Sequence, residues 1–409
     1  MSYLLTLTFV LTPAYTIKLN LMGLPTNLLM LWVVLVWTVF FIWLIAKKQL
    51  LHLRTAVRKC SKPVLIFISL FFLAGIISLF INGANKPKLG QFIVLFLQPI
   101  SIFFISLYIF QQNPKTKTFL LSACYFLLAA AGLYAILQYF TLIGLPAAWW
   151  GNSVEPKRAL SFFIHPNFYA LSCAPLLAFL IPDVAEKIKN QKLEIGNWKF
   201  IATWIIGAVG LLLSFSRAGW LGLGIAGIIY LIVAADKKIR KLALYCAIIL
   251  CIIILAVPNL QWRLRLPFHG EKSAVSRQSL WETGWKGIKE SPILGLGLTG
   301  FSKNWERLNT DADLPETHNF PHNIFLDFWV ETGLLGLISF IGLSAIFIYR
   351  GLRSRLPLPL GEGRGEGQAM LKLSAALFLI ALISQGLIDN PYFKNDLAMV
   401  FWIVLALAI

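Results

Sequence analysis

Charged residues are scarce in this 409-residue chain, and their scarcity excludes most classes of protein. Only 13% of the residues are charged and 58% are hydrophobic, with a mean hydropathy of +0.75. A soluble domain carries about a quarter charged residues, so this chain has too few to cover a surface in water. The composition excludes a soluble globular enzyme and a disordered chain. It predicts an all-α, polytopic membrane helical bundle.

Cysteine is also scarce, and the five cysteines form no CxxC pair. The sequence therefore predicts neither a disulfide scaffold nor a cysteine-based metal or redox site. The loops expected on the outer face hold no acidic pair with the spacing of metal ligands, so we expect no metal and no cofactor. The apolar stretches are continuous and do not alternate with period two, which excludes an outer-membrane barrel.

Long apolar runs are abundant. A membrane helix needs about 20 mainly apolar residues, and we predict about twelve such spans, of which the first and the sixth are short. The predicted spans are residues 3–17, 24–46, 63–82, 90–110, 118–142, 168–182, 199–215, 218–235, 241–258, 323–349, 370–388 and 395–409. They divide the chain into an N-terminal membrane bundle of about nine spans at 1–258, a long loop at 259–322 and three C-terminal spans at 323–409.

The net charge is +18, and the distribution of the basic residues along the chain predicts its orientation in the membrane. Most Lys and Arg residues lie in one alternating set of loops, and such loops face the cytoplasm. The loop at 259–322 then faces the periplasm or the exterior. Basic clusters between apolar runs are typical of loops beside membrane helices, so we expect membrane lipids and no nucleic acid as partners.

The loop at 259–322 is long enough to carry function. Its stretch SRQSLWETGWKGIKESP places two tryptophans and two aliphatic residues at helical spacing, and Ser276 is a candidate N-cap. This amphipathic helix is expected to lie along the membrane surface with its tryptophans at headgroup level. A packed cap without further function is the alternative.

The following segment LGLGLTG fits the dinucleotide fingerprint G-x-G-x-x-G. That motif has meaning only between a strand and a helix of a βαβ unit, and no such unit is predicted here. Gly295, Gly297 and Gly300 are instead expected to form a tight turn with close backbone packing.

Ionisable side chains are rare in the middle of the predicted spans and collect at their outer ends. Arg158, Arg217, Arg277 and His322 all fall on the predicted outer face, together with Asp389. Arginine binds phosphate oxygens with two parallel hydrogen bonds and stays charged, and histidine can accept a proton near neutral pH. These residues predict a site for an amphiphilic, anionic substrate such as a lipid phosphate or pyrophosphate.

Each of these residues also has a structural interpretation. Arg217 can extend towards lipid headgroups, Arg277 can lie on a solvated helix face, and His322 can begin a helix without further function. Asp327 and Glu331 lie one and two turns into the tenth span, where we expect them to pair with arginines rather than to catalyse.

Four segments, in this order, resemble the O-antigen ligase family, which shares its signature region with O-antigen polymerases. The segments are RALSFFIHPNFYA, SFSRAGWLGL, SRQSLWETGWKGIKESPILGLGLTGF and HNIFLDFWVETGLLGL, and they cover about residues 155–340. The resemblance implies an all-helical membrane bundle with a periplasmic cap. It also implies metal-independent transfer of a glycan, with inversion, from an undecaprenyl-pyrophosphate-linked donor to a glycolipid or glycan acceptor.

The resemblance also implies roles for single residues. Arg217 and Arg277 match the arginines suited to hold undecaprenyl pyrophosphate, and Arg158 is a further candidate for phosphate or glycan contact. His322 matches the histidine of the HN motif, which is proposed as the base that deprotonates the acceptor hydroxyl. His318 begins a second HN pair, so the choice between the two histidines stays open. The long loop is short for the family.

Several functions remain open on the sequence. A glycosyltransferase of ligase type is the leading prediction, and a polymerase of the same superfamily differs from it in the acceptor. A transporter or flippase for the same lipid-linked glycan would need ionisable residues along a path through the bilayer, and the predicted spans lack them. A structural scaffold would leave the arginines and the histidine unexplained.

Overall fold

The computed structural model describes residues 1–21, 24–152, 155–189, 195–258, 261, 272–311, 316, 318–354 and 366–409. Within these residues almost all regular structure is helical, which confirms the predicted all-α membrane fold. Among them, eight helices are long and apolar enough to cross a membrane, and three further apolar helices are shorter. The predicted number of twelve spans is therefore not confirmed.

The helices are labelled in chain order. Those before residue 260 are α1 (Ser2–Val10), α2 (Leu28–Ala46), α3 (Leu50–Arg58), α4 (Lys62–Phe80), α5 (Lys86–Phe92), α6 (Gln98–Gln112), α7 (Lys115–Thr141), α8 (Pro166–Lys189), α9 (Ile195–Leu213), α10 (Arg217–Val233) and α11 (Lys237–Ala256). Those after it are α12 (Lys272–Glu290), α13 (Gly300–Lys303), α14 (Trp305–Leu308), α15 (Ile324–Arg353), α16 (Glu366–Gly386) and α17 (Asn395–Leu407). A π-helical turn at Ile93–Leu97 joins α5 to α6, and 3-10 turns occupy Thr12–Thr16 and Ala147–Trp149. A hairpin pairs β1 (Lys18–Leu21) with β2 (Leu24–Asn27) in antiparallel register.

The long apolar helices lie where the sequence predicts spans. Eight predicted spans match them: 24–46, 63–82, 90–110, 118–142, 168–182, 241–258, 323–349 and 370–388. The spans predicted at 199–215, 218–235 and 395–409 match the three shorter apolar helices, α9, α10 and α17.

The first predicted span, residues 3–17, does not form one long helix. α1 contains nine residues, which rise about 14 Å, whereas the apolar layer of a bilayer is about 30 Å thick. A 3-10 turn that contains Pro13 follows, and the chain then enters the β1–β2 hairpin. The hairpin ends at Asn27, whose side chain caps α2 by accepting a hydrogen bond from the backbone amide of Met30 at 2.9 Å.

The chain forms two compact units, each built from separate stretches of sequence. Unit 1 contains Met1–Ala123, Val275–Phe347 and Gly386–Ile409, and unit 2 contains Cys124–Ala274 and Ile348–Gln385. The division predicted at residues 258 and 322 follows membrane sidedness, and it stays a prediction.

Aromatic side chains dominate the core of unit 1. α17 is buried along most of its length and packs against α6, where the ring centroids of Phe103 and Trp402 lie 5.5 Å apart. The Trp402 indole donates to the hydroxyl of Tyr392 (3.0 Å), which donates to the carbonyl of Leu95 (2.7 Å). Buried tyrosine and tryptophan need such partners. These bonds hold the segment before α17, residues 387–394, against the π-helical turn.

Small residues allow the helices of unit 2 to approach closely. A Cβ atom on Gly132 of α7 would lie 2.7 Å from the carbonyl oxygen of Ile206 in α9, and one on Gly210 would lie 2.9 Å from the Cα atom of Gly132. α8 packs against both α9 and α10, and the Trp204 indole donates to the carbonyl of Leu177 at 3.0 Å. Close approach through small residues is a common way to join membrane helices.

α12 confirms the predicted amphipathic helix, with one correction. The helix begins at Lys272, so Ser276 lies inside it and is not its N-cap. Leu280 and Ile288 on its buried side pack in a small hydrophobic core with residues of α13, α14 and α15. Trp285 is exposed. The position of α12 along a membrane surface stays a prediction.

Tight turns follow α12, as predicted for the glycine-rich segment. Gly295 and Gly297 have φ values of +68° and +78°, which glycine adopts without steric cost. A Cβ atom on Gly295 would lie 2.5 Å from the carbonyl oxygen of Val330, which also accepts a hydrogen bond from the amide of Leu296 at 2.6 Å. The prediction of a tight turn with close backbone packing is confirmed.

Candidate active site

His322 and Asp389 form a hydrogen-bonded pair in unit 1. The Nδ1 atom of His322 lies 3.0 Å from Oδ1 of Asp389. The His322 side chain is 32% exposed, whereas that of Asp389 is 1% exposed. A buried carboxylate behind a solvent-accessible imidazole is an arrangement that orients histidine for proton transfer.

The two residues of the HN motif turn the chain at this point. His322 has a φ of +55°, in the left-handed region that histidine tolerates better than most residues. Asn323 caps α15, because its Oδ1 accepts hydrogen bonds from the backbone amides of Phe325 (3.0 Å) and Leu326 (3.2 Å). Its Nδ2 donates to the carbonyl of Leu387 at 2.9 Å. The motif therefore fastens the start of α15 to the segment that carries the aspartate.

The surroundings of Asp389 favour its charged form. Burial raises the pKa of the Asp389 carboxyl, but the hydrogen bond and charge of His322 and the positive charges of Lys394 and Arg277 outweigh burial, and the pKa is about 2. An ionised carboxylate can only accept hydrogen bonds, so Nδ1 of His322 carries the hydrogen. Nε2 of the neutral imidazole then keeps its lone pair and can accept a proton.

Arg277 lies on α12 beside this pair. Its Nε atom donates to the carbonyl of Ile388, the residue before Asp389, at 2.8 Å. One turn further along α12, the indole of Trp281 donates to the carbonyl of His322 at 3.4 Å. The structure therefore brings Arg277, His322 and Asp389 together through three separate segments of unit 1.

Arg158 and Arg217 belong to unit 2, and both lie at the turn between α9 and α10. The Nε of Arg158 donates to the carbonyl of Ser214 at 3.0 Å, and its Nη2 donates to Oδ1 of Asn167 at 2.7 Å. Arg217 is the first residue of α10, three residues after Ser214. The Arg158 guanidinium also lies 5.4 Å from the ring centroid of Trp149, within cation–π range. The structure thus holds Arg158 beside the turn that carries Arg217.

Sequence reasoning missed the contact between Asp389 and His322. It placed this aspartate on the outer face but did not connect it with His322, because the two residues are 67 positions apart. The signal that was present is an acidic side chain in the short connection between the last two predicted spans. The convergence of Arg158 and Arg217 with Arg277 on one substrate stays a prediction.

His318, the other candidate base, has different surroundings. Its ring packs on the indole of Trp305 with the centroids 5.1 Å apart. Its Nε2 atom is buried and has no hydrogen-bond partner among the described residues. Burial lowers the pKa of His318, and the nearby His322 lowers it further, while Glu316 acts in the opposite direction. In this part of the chain, no described carboxylate accepts a hydrogen bond from His318.

Asp327 and Glu331 differ from the expectation that they pair with arginines. Glu331 accepts hydrogen bonds from the backbone amides of Thr299 (2.6 Å) and Phe301 (3.0 Å), which begin the short helix α13. Among the described residues, Glu331 therefore binds amides at the start of a helix and not the expected arginines. Both carboxylate oxygens of Asp327 are buried and have no hydrogen-bond partner among the residues that the structure describes.

Metal ligation has no candidate residues in the described ranges. There, no three His, Cys, Asp or Glu side chains come together as they would to hold a metal ion. We expect phosphate to be bound by the guanidinium groups of Arg158, Arg217 and Arg277. Independence of the reaction from metal ions stays a prediction.

One curated relative provides limited information. A protein of Haemophilus influenzae, named only as an uncharacterized protein, is 27% identical over 147 residues, which are 32% of this chain. This chain covers 37% of the length of that relative, so the relative supplies a likeness over part of both proteins.

A family model gives the stronger match. Residues 202–341 match the family described as O-antigen ligase. The matched segment contains Arg217, Arg277 and His322, while Arg158 and Asp389 lie outside it. Three of the four segments that carried the resemblance fall inside the match. The resemblance to the O-antigen ligase family is therefore confirmed for about a third of the chain, the segment at residues 202–341 that matches the model of this family.

Proposed function

We propose that this protein is a glycosyltransferase of O-antigen ligase type. It moves a glycan from undecaprenyl pyrophosphate to a glycolipid or glycan acceptor at the periplasmic face of a bacterial inner membrane. The observation that carries the proposal is the His322–Asp389 pair with Arg277 beside it. Two of these three residues lie inside the matched family segment, and the third is their buried partner.

His322 acts as the base. Asp389 holds Nδ1, so Nε2 takes the proton of the attacking acceptor hydroxyl. The acceptor oxygen forms a bond to the anomeric carbon of the donor sugar while the bond from that carbon to the pyrophosphate oxygen breaks. The electron pair of the broken bond leaves with undecaprenyl pyrophosphate, and attack from the opposite side gives inversion. The proton then passes from the partly exposed imidazole to solvent.

Arg158, Arg217 and Arg277 bind the phosphate groups. Negative charge grows on the pyrophosphate as the glycosidic bond breaks, and fixed positive charge stabilises that transition state. Arginine is suited to this role because it stays charged and binds phosphate with two hydrogen bonds. Arg217 also stands at the first residue of α10, where the helix dipole adds positive potential.

Turnover in liposomes tests the catalytic assignment. The purified full chain is supplied with an undecaprenyl-pyrophosphate-linked glycan, and release of undecaprenyl pyrophosphate is measured. We expect Arg217→Ala, Arg277→Ala and His322→Ala each to abolish release. His52→Ala, which changes an exposed histidine of α3, serves as the control and is expected to keep normal turnover. Near-normal turnover in all three site variants would overturn the proposal.

The same assay separates the two candidate histidines. Asp389 is hydrogen-bonded to His322, and the described residues give His318 no such partner. We therefore expect His318→Ala to keep most of the turnover. Loss of turnover in His318→Ala, with turnover retained in His322→Ala, would make His318 the base.

The acceptor is identified by mass spectrometry of surface glycolipids in a deletion strain. We expect unligated long chains, which are the substrate that a ligase leaves behind. Single repeat units would assign the protein to the polymerases of the same superfamily. Absence of any turnover with purified donor and acceptor, together with loss of donor from the outer leaflet in cells, would favour a transporter for the lipid-linked glycan.

A further inference from the structure

The chain carries a second cationic surface, formed by residues 47–62, which lie far in sequence from the candidate active site. We call this segment the basic connection. It joins α2 to α4 and contains α3. It holds six Lys and Arg residues and no acidic residue: Lys47, Lys48, Arg54, Arg58, Lys59 and Lys62.

α3 separates apolar from cationic side chains. On one side, Ala56 is buried and Leu53 and Val57 are half-buried, at the spacing of one helix face. On the other side, Arg54 and Arg58 are exposed, one turn apart. Such a short helix, with basic residues on its polar face, is typical of segments that lie in the plane of a membrane surface.

Hydrogen bonds fasten the basic connection to α6 of the same unit. Gln111 of α6 donates from Nε2 to the carbonyl of Ala56 at 3.2 Å. The Tyr108 hydroxyl, also on α6, donates to Oε1 of Gln49 at 2.6 Å. α3 packs against α6 as well. The cationic side chains are therefore presented from a fixed backbone.

The basic connection lies where two membrane spans end. α2 and α4 are both long and apolar enough to cross a bilayer, so the segment that joins them lies at the level of the lipid headgroups. All six cationic residues are exposed. No carboxylate of the described residues lies within ion-pair distance of them. Their charge is thus available to an external anion.

We propose that the basic connection binds the headgroups of anionic phospholipids. Its position favours a lipid surface over a soluble polyanion, because the neighbouring spans place these cations beside headgroup phosphates. Basic residues next to membrane spans attract anionic lipids, and the attraction weakens within a Debye length of the surface. This inference is independent of glycan transfer and of the side of the membrane on which the segment lies.

Lipid retention tests this inference. The full chain is purified in detergent and incubated with an equimolar mixture of phosphatidylglycerol and phosphatidylcholine, and the lipids that stay bound are measured by mass spectrometry. We expect the unchanged chain to retain phosphatidylglycerol preferentially. In a variant that combines Arg54→Gln, Arg58→Gln and Lys59→Gln, the ratio of the two lipids is expected to fall about fivefold or more.

Two variants serve as controls. Lys18→Gln, Lys86→Gln and Lys289→Gln in one chain remove the same charge from exposed positions of unit 1 outside the basic connection, and we expect the lipid ratio to change little. The charge-retaining variant with Arg54→Lys and Arg58→Lys is expected to keep the preference. An unchanged ratio in the glutamine variant of α3, or an equal fall in the control, would overturn the inference.

Two further measurements separate lipid from other anions. Inorganic phosphate at millimolar concentration is expected not to displace bound phosphatidylglycerol, whereas displacement would show a site for free phosphate instead. RNA that binds the same residues more tightly than the lipid would equally contradict the inference. If the glutamine variant aggregates, the unchanged chain provides the test, because its lipid preference must fall as salt rises from about 0.1 to 1 M.

Discussion

At the scale of single residues, the carboxylate of Asp389 determines which nitrogen of the His322 imidazole carries the hydrogen. The Asp389 side chain is 1% exposed, so water has little access to replace it as the hydrogen-bond partner of Nδ1. The amide of the Asp389→Asn variant can present its N–H to Nδ1 and thereby favour the opposite tautomer. Nε2 would then hold the hydrogen and could not accept a proton from an acceptor hydroxyl.

Turnover of the Asp389→Asn variant measures this effect. We expect the rate of undecaprenyl pyrophosphate release to fall about 100-fold or more, as when the orienting carboxylate of other histidine bases is removed. Glu282→Gln is the matched control, because this carboxylate is exposed on α12. Equal rates in the unchanged chain and the Asp389→Asn variant would show that Asp389 does not orient the base.

The low pKa of Asp389 also predicts how stability depends on pH. The pKa is about 2 in the folded chain and about 3.9 in an unfolded one, so the ionised carboxylate stabilises the fold. This contribution, about 2–3 kcal/mol, is present above about pH 4 and is lost as the pH falls towards 2. We expect the melting temperature in detergent to fall over this range more steeply for the unchanged chain than for Asp389→Asn. Parallel curves would contradict the assignment.

At this scale the sequence could supply candidate residues, but it could not predict how they meet. Arg277 and His322 were identified from residue type and resemblance, and the structure places both beside one carboxylate. The partner, Asp389, could not be identified because pairing across 67 residues depends on tertiary packing. The left-handed backbone of His322 was equally hidden, since φ follows from the cap at Asn323 and its bond to Leu387.

At the scale of helices, periodicity predicted the faces of elements but not their ends. The apolar side of α12 is buried as expected, yet the helix begins four residues before the expected cap at Ser276. Cap residues also occur inside helices, so such signals fix boundaries poorly. The apolar run at 3–17 gave no sign that its helix would end at Val10, because composition alone does not show where tertiary contacts favour a turn.

α15 contains a break at Gly333 that provides a test at this scale. Gly333 has φ +68° and ψ −174°, a conformation that is essentially restricted to glycine. A Cβ atom there would lie 2.4 Å from the carbonyl oxygen of Ile293. We expect Gly333→Ala to destabilise the fold by about 2 kcal/mol or more, which a lower melting temperature in detergent would report.

The control for this prediction is Gly90→Ala in α5. Apart from Gly90 itself, its chain neighbours and the nearby backbone of its own helix, no atom lies within 4 Å of a Cβ built on this helical residue. Alanine there is expected to leave stability unchanged or to raise it by about 0.5–1 kcal/mol. A melting temperature that is the same for Gly333→Ala and Gly90→Ala would mean that the break in α15 relaxes without cost.

At the scale of the whole molecule, the basic residues predict the orientation of the chain in the membrane. The distribution of Lys and Arg predicts that α12 faces the exterior and α3 the cytoplasm. We expect a membrane-impermeant maleimide applied to intact spheroplasts to label Lys289→Cys and not Arg58→Cys, each in a background without the five native cysteines. Both positions are exposed, so access to the side chain is matched. Labelling of Arg58→Cys alone would reverse the orientation.

The composition of the chain was sufficient to predict the class of the whole molecule, because a shortage of charge and long apolar runs leave a helical membrane bundle. The number of spans was harder to predict, since α9, α10 and α17 are apolar but short. How the chain divides into units could not be derived from the sequence, because unit 1 combines three stretches that are separated by the two stretches of unit 2.

That division has a consequence for biosynthesis. The core of unit 1 includes α17, and the buried Asp389 precedes that helix. During translation, α6 is therefore made long before α17, the helix against which it packs, leaves the ribosome. Until then, α6 lies in the lipid bilayer without this partner. A nascent chain stopped at residue 385 would hold every segment of unit 2 but would lack both α17 and Asp389. We expect the quality-control proteases of the membrane to degrade such a chain.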